Sequence, residues 1–346
     1  MVRRRRYSSK KKGFGIVGLL RALILVALCG SAAAAWFIFL PFGPSSEMFV
    51  EVAPGSSTPA IGRQLESAGI IRSRYAFDLM RLWKRGTLRA GEYRFDHAAS
   101  VPDVYSRIAR GDVYTIAVTI PEGESIFEIA GRLEKAGFGP RQGFLDAAVE
   151  QKALISDLDP KAKSLEGYLF PDTYHFARKF TPMQICATMV RRFRVIATQI
   201  GLKGNAHQVV TMASLVERET AVDAERPMVA SVFENRLAKN MPLMTDPAVI
   251  YGLELEGRWR GSIFQSDLKL NTPYNTYLHT GLPPGPVANP GMRSLRAAMR
   301  PAHTDYLYFV AAGASPQGHS LFASTIEEHN HNVAGYRHAV KKAGGR

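Results

Sequence analysis

The longest uninterrupted apolar stretch of the chain runs from Ala22 to Leu40, uncharged and relieved only by Gly30 and Ser31. Nineteen helical residues at 1.5 Å each cover about 28 Å, the depth of a bilayer's hydrocarbon core. The pattern therefore predicts a transmembrane helix over 14–40, followed by a stiff Pro/Gly/Ser linker at 41–46. Further on, apolar and polar residues alternate in FVEVAP (49–54) and again in AVTIPEG (117–123), as in half-buried strands. Each strand leads into a segment with apolar residues four apart, which predicts a Ser-capped helix closed by a left-handed glycine. The two segments are copies of one another. Gly55-x-Ser57-x-x-x-Ile61-x-x-x-Leu65-Glu66-x-Ala68-Gly69 recurs as Gly123-x-Ser125-x-x-x-Ile129-x-x-x-Leu133-Glu134-x-Ala136-Gly137, about 68 residues later. Between them GEYRF (91–95) reads as a strand and 101–109 as a short helix.

From about Gly139 the pattern changes. Helical periodicity appears over 183–199, 207–220 and 225–239, a strand at 306–310, and a closing helix at 325–340. Helices and strands do not alternate regularly, so the fold class is α+β rather than a doubly wound sheet. The organisation predicted is a basic tail at 1–13, a span at 14–40, a linker at 41–46, a small α/β module at 47–138 and a larger mixed α+β domain at 139–343.

Charge sharpens this picture. The chain has 346 residues, 44 Lys+Arg and 30 Asp+Glu, a net +14. Residues 1–13 hold four Arg, three Lys and no acid; taking these seven and Arg21 away leaves +6. A basic cluster before the span favours a cytoplasmic N-terminus and an exported body. The body has no basic face interleaved with aromatics, so no nucleic-acid partner is expected. A cleaved signal peptide is the competing reading, since 31–35 are small; against it, the apolar run resumes at Trp36. A lipoprotein site at Cys29 is disfavoured by the bulky Leu28 before it. Cys29 in the span and Cys186 in the body cannot pair within one chain, and a domain of this size needs no disulfide.

The candidate chemistry lies between 211 and 291. TMASLVERET opens it as an apolar helix bearing two acids, and PYNTYLHTGLPPGPVANPG closes it as a polar-aromatic segment running into a rigid loop. Asn205 is a plausible N-cap with Gln208 as its box partner. Val209, Met212, Ala213 and Val216 form the apolar stripe. At 100° per residue Glu219 falls at the margin of that stripe, and Glu217 projects about 160° away from it. A carboxyl at an apolar margin is partly desolvated, which raises its pKa toward that of a general acid. The plainer alternative is that both glutamates make surface pairs with Arg218 or Arg226.

These segments, with LEGYLFPDTY (165–174) and MTDPAVIYG (244–252), resemble the endolytic murein transglycosylases, the YceG-like family, and the likeness covers nearly the whole chain. The resemblance implies that Glu219 is the catalytic acid and that 47–138 is a LysM-like module, either glycan-binding or a spacer. It implies peptidoglycan glycan strands as substrate. Glu219 would protonate the glycosidic oxygen while the C6 hydroxyl attacks C1 of N-acetylmuramic acid, leaving a 1,6-anhydro end. It also implies an inner-membrane protein with a periplasmic catalytic domain, working beside the peptidoglycan synthases on nascent strands. No cofactor is expected. Candidate substrate contacts are Glu166 and Asp172 in the first motif, Asp246 in the second, and Tyr274, Asn275 and Tyr277, whose amides and aromatic faces suit sugars. For the first motif an aromatic corner packing the domain, and for Thr245-Asp246-Pro247 a helix cap only, are equally open. Gly281-Leu-Pro-Pro-Gly-Pro reads as a rigid wall, without the Lys of a phosphate loop. His329 and His331 lack the companions of a zinc site, so no metal is expected. A muramidase using the same acid and a non-catalytic glycan-binding scaffold remain the alternatives.

Overall fold

The computed structural model describes residues 15–315 and 318–344; the basic tail expected at 1–13 lies outside them. Helix α1, Ile16–Phe39, carries Arg21 alone among charged residues and ends where Leu40 turns extended before Pro41. It is apolar on every side and, except for Ile38, is not covered by protein. At about 36 Å it is long and apolar enough to cross a bilayer.

The chain divides into two compact units, one through Thr115 and one from Ile116. In the smaller unit, β1 (Met48–Val52) and β2 (Gly91–Phe95) pair antiparallel, with Val50 opposite Tyr93. Helices α2 (Thr58–Ser67), α3 (Arg74–Lys84) and α4 (Val101–Arg110) cover the sheet. Val50, Ile61, Leu65, Phe77, Tyr93 and Ile108 fill its core, and Ile38 from the last turn of α1 joins them. Gly69 and Gly111 close α2 and α4 at φ +67° and +74°, as their positions predict. Ser57 precedes α2 but its side chain makes no cap bond.

The larger unit holds β3 (Thr115–Thr119), α5 (Ile126–Lys135), α6 (Arg141–Glu150), β4 (Thr173–Ala177), α7 (Pro182–Ile200), α8 (Ala206–Glu219), α9 (Arg226–Ala238), α10 (Asp246–Leu255), α11 (Met292–Met299), β5 (Tyr308–Ala311), β6 (Ser320–Ala323) and α12 (Ile326–Gly344). Here Ser125 makes a full capping box with Glu128. Strand β3 pairs with β4 and β5 with β6, giving three two-stranded sheets among the described residues and an α+β fold. Helix α8 runs through the core, with Val210, Ala213, Leu215 and Val216 fully buried, and packs on α9 and α11.

Two local features differ from expectation. The second repeat copy packs into the larger unit: Ile126, Ile129, Ala130 and Leu133 belong to its core. The packing boundary thus falls after Thr115 rather than at 138/139. The reason is strand pairing. β1 finds its partner in β2, 40 residues away within the small unit, whereas β3 pairs with β4, far beyond the repeat. Secondly, Asn205 makes no cap bond with α8, because its backbone (φ −41°, ψ 40°) is not the extended form that aims a side chain at the first turn.

Gly167, in the 165–174 motif, adopts φ +86°, and a Cβ there would sit 2.6 Å from Pro286 and 2.7 Å from Val210. Both the left-handed backbone and the close approach of the Pro/Gly loop to α8 require glycine. Gly167→Ala is expected to destabilise the larger unit by about 2 kcal/mol or more, read as a lowered urea midpoint.

Candidate functional site

Helix α8 places its two acids on different sides. Glu217 turns into the protein: it pairs with Arg226 Nη2 at 2.7 Å and accepts the Gly291 N–H at 2.8 Å. Glu219, the last residue of the helix, is half-buried at the edge of a cleft. Burial pushes its carboxyl up to about 7; the charge of Asp246 adds to this, and Arg236 opposes it. The partial negative charge at the C-terminus of α8 acts in the same direction as Asp246. A carboxyl held near 7 keeps about half of its population protonated at neutral pH and ready to donate.

Asp246 begins α10, and its Oδ1 accepts a hydrogen bond from the Tyr277 hydroxyl at 2.7 Å. The turn before it is fixed to Thr276 through that residue's backbone and its side chain. Met244, in the left-handed region at φ +57°, donates its N–H to Thr276 O, and Thr245 donates its own to Thr276 Oγ1 at 2.9 Å. A non-glycine residue in that region costs on the order of 1–3 kcal/mol, sustained here by these bonds. Arg236 ties the same region together from below. Its guanidinium donates to Leu243 O at 2.9 Å and Leu307 O at 2.7 Å, and lies over the Tyr308 ring. Burial lowers its pKa, while Glu219 and Tyr277 are close enough to raise it.

The cleft, about 370 Å³, opens between Glu219–Val222 and the β5–β6 hairpin, with Ser320 and Tyr336 on its walls. Buried Glu225 holds the hairpin in place: it accepts the Ser320 N–H at 2.8 Å, and Thr220 Oγ1 at 3.4 Å on its other oxygen.

The structure brings Asp246 and Tyr277 to Glu219, and puts Asn275 behind them. Asn275 is buried; its amide donates to Leu268 O and Leu270 O, and its Oδ1 accepts the Tyr277 N–H at 3.0 Å. It positions Tyr277 and presents nothing to the cleft. Glu166 is also interior, at 2% exposure. It accepts the Ile126 N–H at 2.9 Å and Asn289 Nδ2 at 2.8 Å, joining the start of α5 to the Pro/Gly loop, and burial pushes it up to about 8. It faces an interior recess rather than the cleft beside Glu219. Tyr274 packs edge-on against Tyr251, over the recess that contains Glu166. Asp172 pairs with Arg192 at 2.7 Å on the exposed side of α7 and is not among the residues lining the cleft. Arg236 and Glu225 were not legible: each is one charge in a helix or turn that offers several, and only burial singles them out. In sequence the hairpin wall reads only as a strand at 306–310, with nothing that links it to the acid. Among the described residues no group of three or more His, Cys, Asp or Glu is placed to hold a metal ion.

A sequence model of the YceG-like family matches residues 50–335. The chain is 34% identical over 304 residues to the endolytic murein transglycosylase of Bacillus subtilis, covering 81% of this chain and 82% of that protein. It is 30% identical over 333 residues to the protein of the same name from Streptococcus pneumoniae strain R6, covering 85% of this chain but 60% of the pneumococcal one. A crystal structure of a YceG-like protein from Listeria monocytogenes superposes with a TM-score of 0.54 at 32% identity, over 83% of this chain and 99% of the other.

Since Asp246 raises the pKa of Glu219, Asp246→Asn is expected to move the Glu219 titration below about 7, toward the ordinary carboxylate range. Carboxyl-carbon NMR of the variant against the parent measures this; an unmoved titration would separate the two groups electrostatically.

Proposed function

This chain belongs to the YceG-like family, and on that footing we propose that it is a membrane-anchored lytic transglycosylase that cuts peptidoglycan glycan strands internally. The observation that carries the reading is Glu219, half-buried at a cleft edge and held near pH 7 beside Asp246, Tyr277 and Arg236. A single carboxyl suffices for this chemistry because the substrate supplies its own nucleophile. Glu219 gives its proton to the glycosidic oxygen as the bond to C1 of N-acetylmuramic acid breaks. The carboxylate then takes the proton of the C6 hydroxyl as that oxygen bonds to C1. The strand is left with a 1,6-anhydro end, Glu219 is again protonated, and no water is consumed. Between the two transfers Glu219 is charged, and Arg236 stabilises that state. Asp246 and Tyr277 act as a pair beside Glu219: the Tyr277 hydroxyl, donating to Asp246, offers its oxygen as an acceptor to sugar hydroxyls, and the charge of Asp246 favours the protonated form of Glu219.

The N-terminal span and its basic tail support a cytoplasmic N-terminus and a periplasmic catalytic unit. The strand–helix repeat within 47–138 is read as LysM-like, holding glycan or spacing the cleft from the membrane. Location at the membrane suits the ending of nascent strands beside the synthases. One observation favours a second reading: Asp246 is a second carboxylate within electrostatic reach of Glu219, the pairing by which hydrolytic glycosidases activate water or form a covalent intermediate. The product distinguishes them.

Mass spectrometry of uncrosslinked glycan strands treated with the protein is expected to find anhydromuramic ends, lighter by one water than reducing ends. Glu219→Gln should lower the rate by about 10²–10⁴-fold. Reducing ends would assign the muramidase. Intact strands with the parent protein would leave a scaffold. Because Glu219 must be protonated to act, the rate should fall as pH rises through about 7, and a rate rising across that range would remove it as the acid.

A further inference from the structure

Helix α3 buries Ala76, Phe77 and Met80 in the core of the smaller unit and leaves a second apolar face uncovered. Tyr75, Leu79, Leu82 and Trp83 are 68%, 52%, 73% and 69% exposed. At 100° per residue these four fall within an arc of about 100°. Outside α1, no other large apolar side chain described is as exposed as Tyr75, Leu82 or Trp83. An uncovered stripe of this size on a water-facing helix marks a contact surface.

Its surroundings indicate the partner. Two residues before α3, Arg72 donates to Leu40 O at 2.8 Å and Pro41 O at 3.1 Å, and its guanidinium lies 4.4 Å over the Trp36 ring. Helix α3 packs beside α1 within the same unit, and Ile38 of α1 is part of that unit's core. The helix therefore lies at the level where α1 ends, the depth at which tryptophan and arginine meet a bilayer surface. From Arg72 to Arg85 the segment holds Arg72, Arg74, Arg81, Lys84 and Arg85 against one acid, Asp78. On the helical wheel Arg74 and Arg81 lie together on one side of the apolar stripe, about 80–100° from its edge and beyond Asp78, and Lys84 and Arg85 close the helix.

We propose that α3 is an interfacial helix: Tyr75, Leu79, Leu82 and Trp83 insert into the outer face of the bilayer that α1 crosses, and the neighbouring cations hold anionic phospholipid headgroups. The proposal rests on α1 being a membrane span. An apolar face with Trp and Leu beside Arg and Lys is the arrangement that lies in the plane of an interface, about 5–10 Å deep, and cations near an anionic surface strengthen that attachment. The consequence is a fixed attachment. With α1 alone the small unit could swivel about one helix; with α3 also seated, two points hold it on the membrane.

The test uses the full chain in vesicles of phosphatidylcholine and phosphatidylglycerol, with a nitroxide at one site at a time in a Cys29→Ser background. Cys186 is buried, with its thiol pushed up to about 12, and stays unlabelled. The sites are Leu82→Cys on α3, Leu25→Cys in α1, and Lys152→Cys on the surface of the larger unit; each is exposed, so none should disturb folding. Leu25 and Leu82 are expected to favour collision with oxygen over a water-soluble nickel complex, and Lys152 the reverse. A nickel-accessible Leu82 with Leu25 in lipid overturns the docking and keeps the span. A nickel-accessible Leu25 overturns the span, and the docking with it. Spin–spin broadening at Leu82 without lipid exposure assigns the face to a second copy of the chain. Omitting phosphatidylglycerol should lower the oxygen preference at Leu82; an unchanged value overturns the role given to the cations.

Discussion

The rotation of α8 about its own axis is set by one buried carboxylate. Glu217 is almost fully enclosed, paired with Arg226 at the start of α9 and bonded to the N–H of Gly291, the residue that caps the start of α11. It thus satisfies an orphan donor at the positive end of one helix while it anchors a second. Arg226 is held in turn by Asp223 and by Ser294 of α11. Breaking such a pair by removing one partner costs about 3–5 kcal/mol, since it leaves a buried charge uncompensated. With Glu217 fixed inward, the residue two places on must point out of the core. Glu219 faces the cleft because Glu217 cannot let α8 turn. Even Gly291 fits this constraint, since the Glu122 carboxyl occupies the place a side chain would need there.

Among the carboxyls of the larger unit that burial pushes up toward neutrality, Glu166 and Glu219 have different fates. Glu166 is enclosed, meets an amide, a backbone N–H and Tyr251, and knits α5 to the Pro/Gly loop. Glu219 meets open space on one side and charged neighbours on the other. Desolvation alone therefore does not make an active acid. The site needs partial burial, and the structure supplies it by ending α8 at Glu219 and setting the β5–β6 hairpin across the opening, with Glu225 holding the hairpin to the turn that follows.

The residues around Asp246 show how motif residues divide their work. Asp246 and Tyr277 lie within electrostatic reach of Glu219; Asn275 and Thr276 hold the backbone that carries them. Positioning groups of this kind account for a large part of what a polar-aromatic motif contains. An account that assigns every polar member to the substrate overcounts.

Much of this was determined by the sequence. The continuous apolar run located α1, and periodicity located both repeat helices, α7 to α9 and the closing helix to within a few residues, because each of these has an apolar face at a fixed spacing. The separation of Glu217 from Glu219 also followed from helix geometry. Which of the two met the cleft did not follow, because a broad stripe has two margins and the choice rests on Arg226 and Gly291, distant in sequence. The two repeat copies make the same point. They share a pattern and a local fold, yet belong to different units, because β1 and β3 found different partner strands. Local spacing decides what an element is; only the contacts between distant segments decide what it touches, how deeply it is buried, and therefore what pKa its carboxyl has.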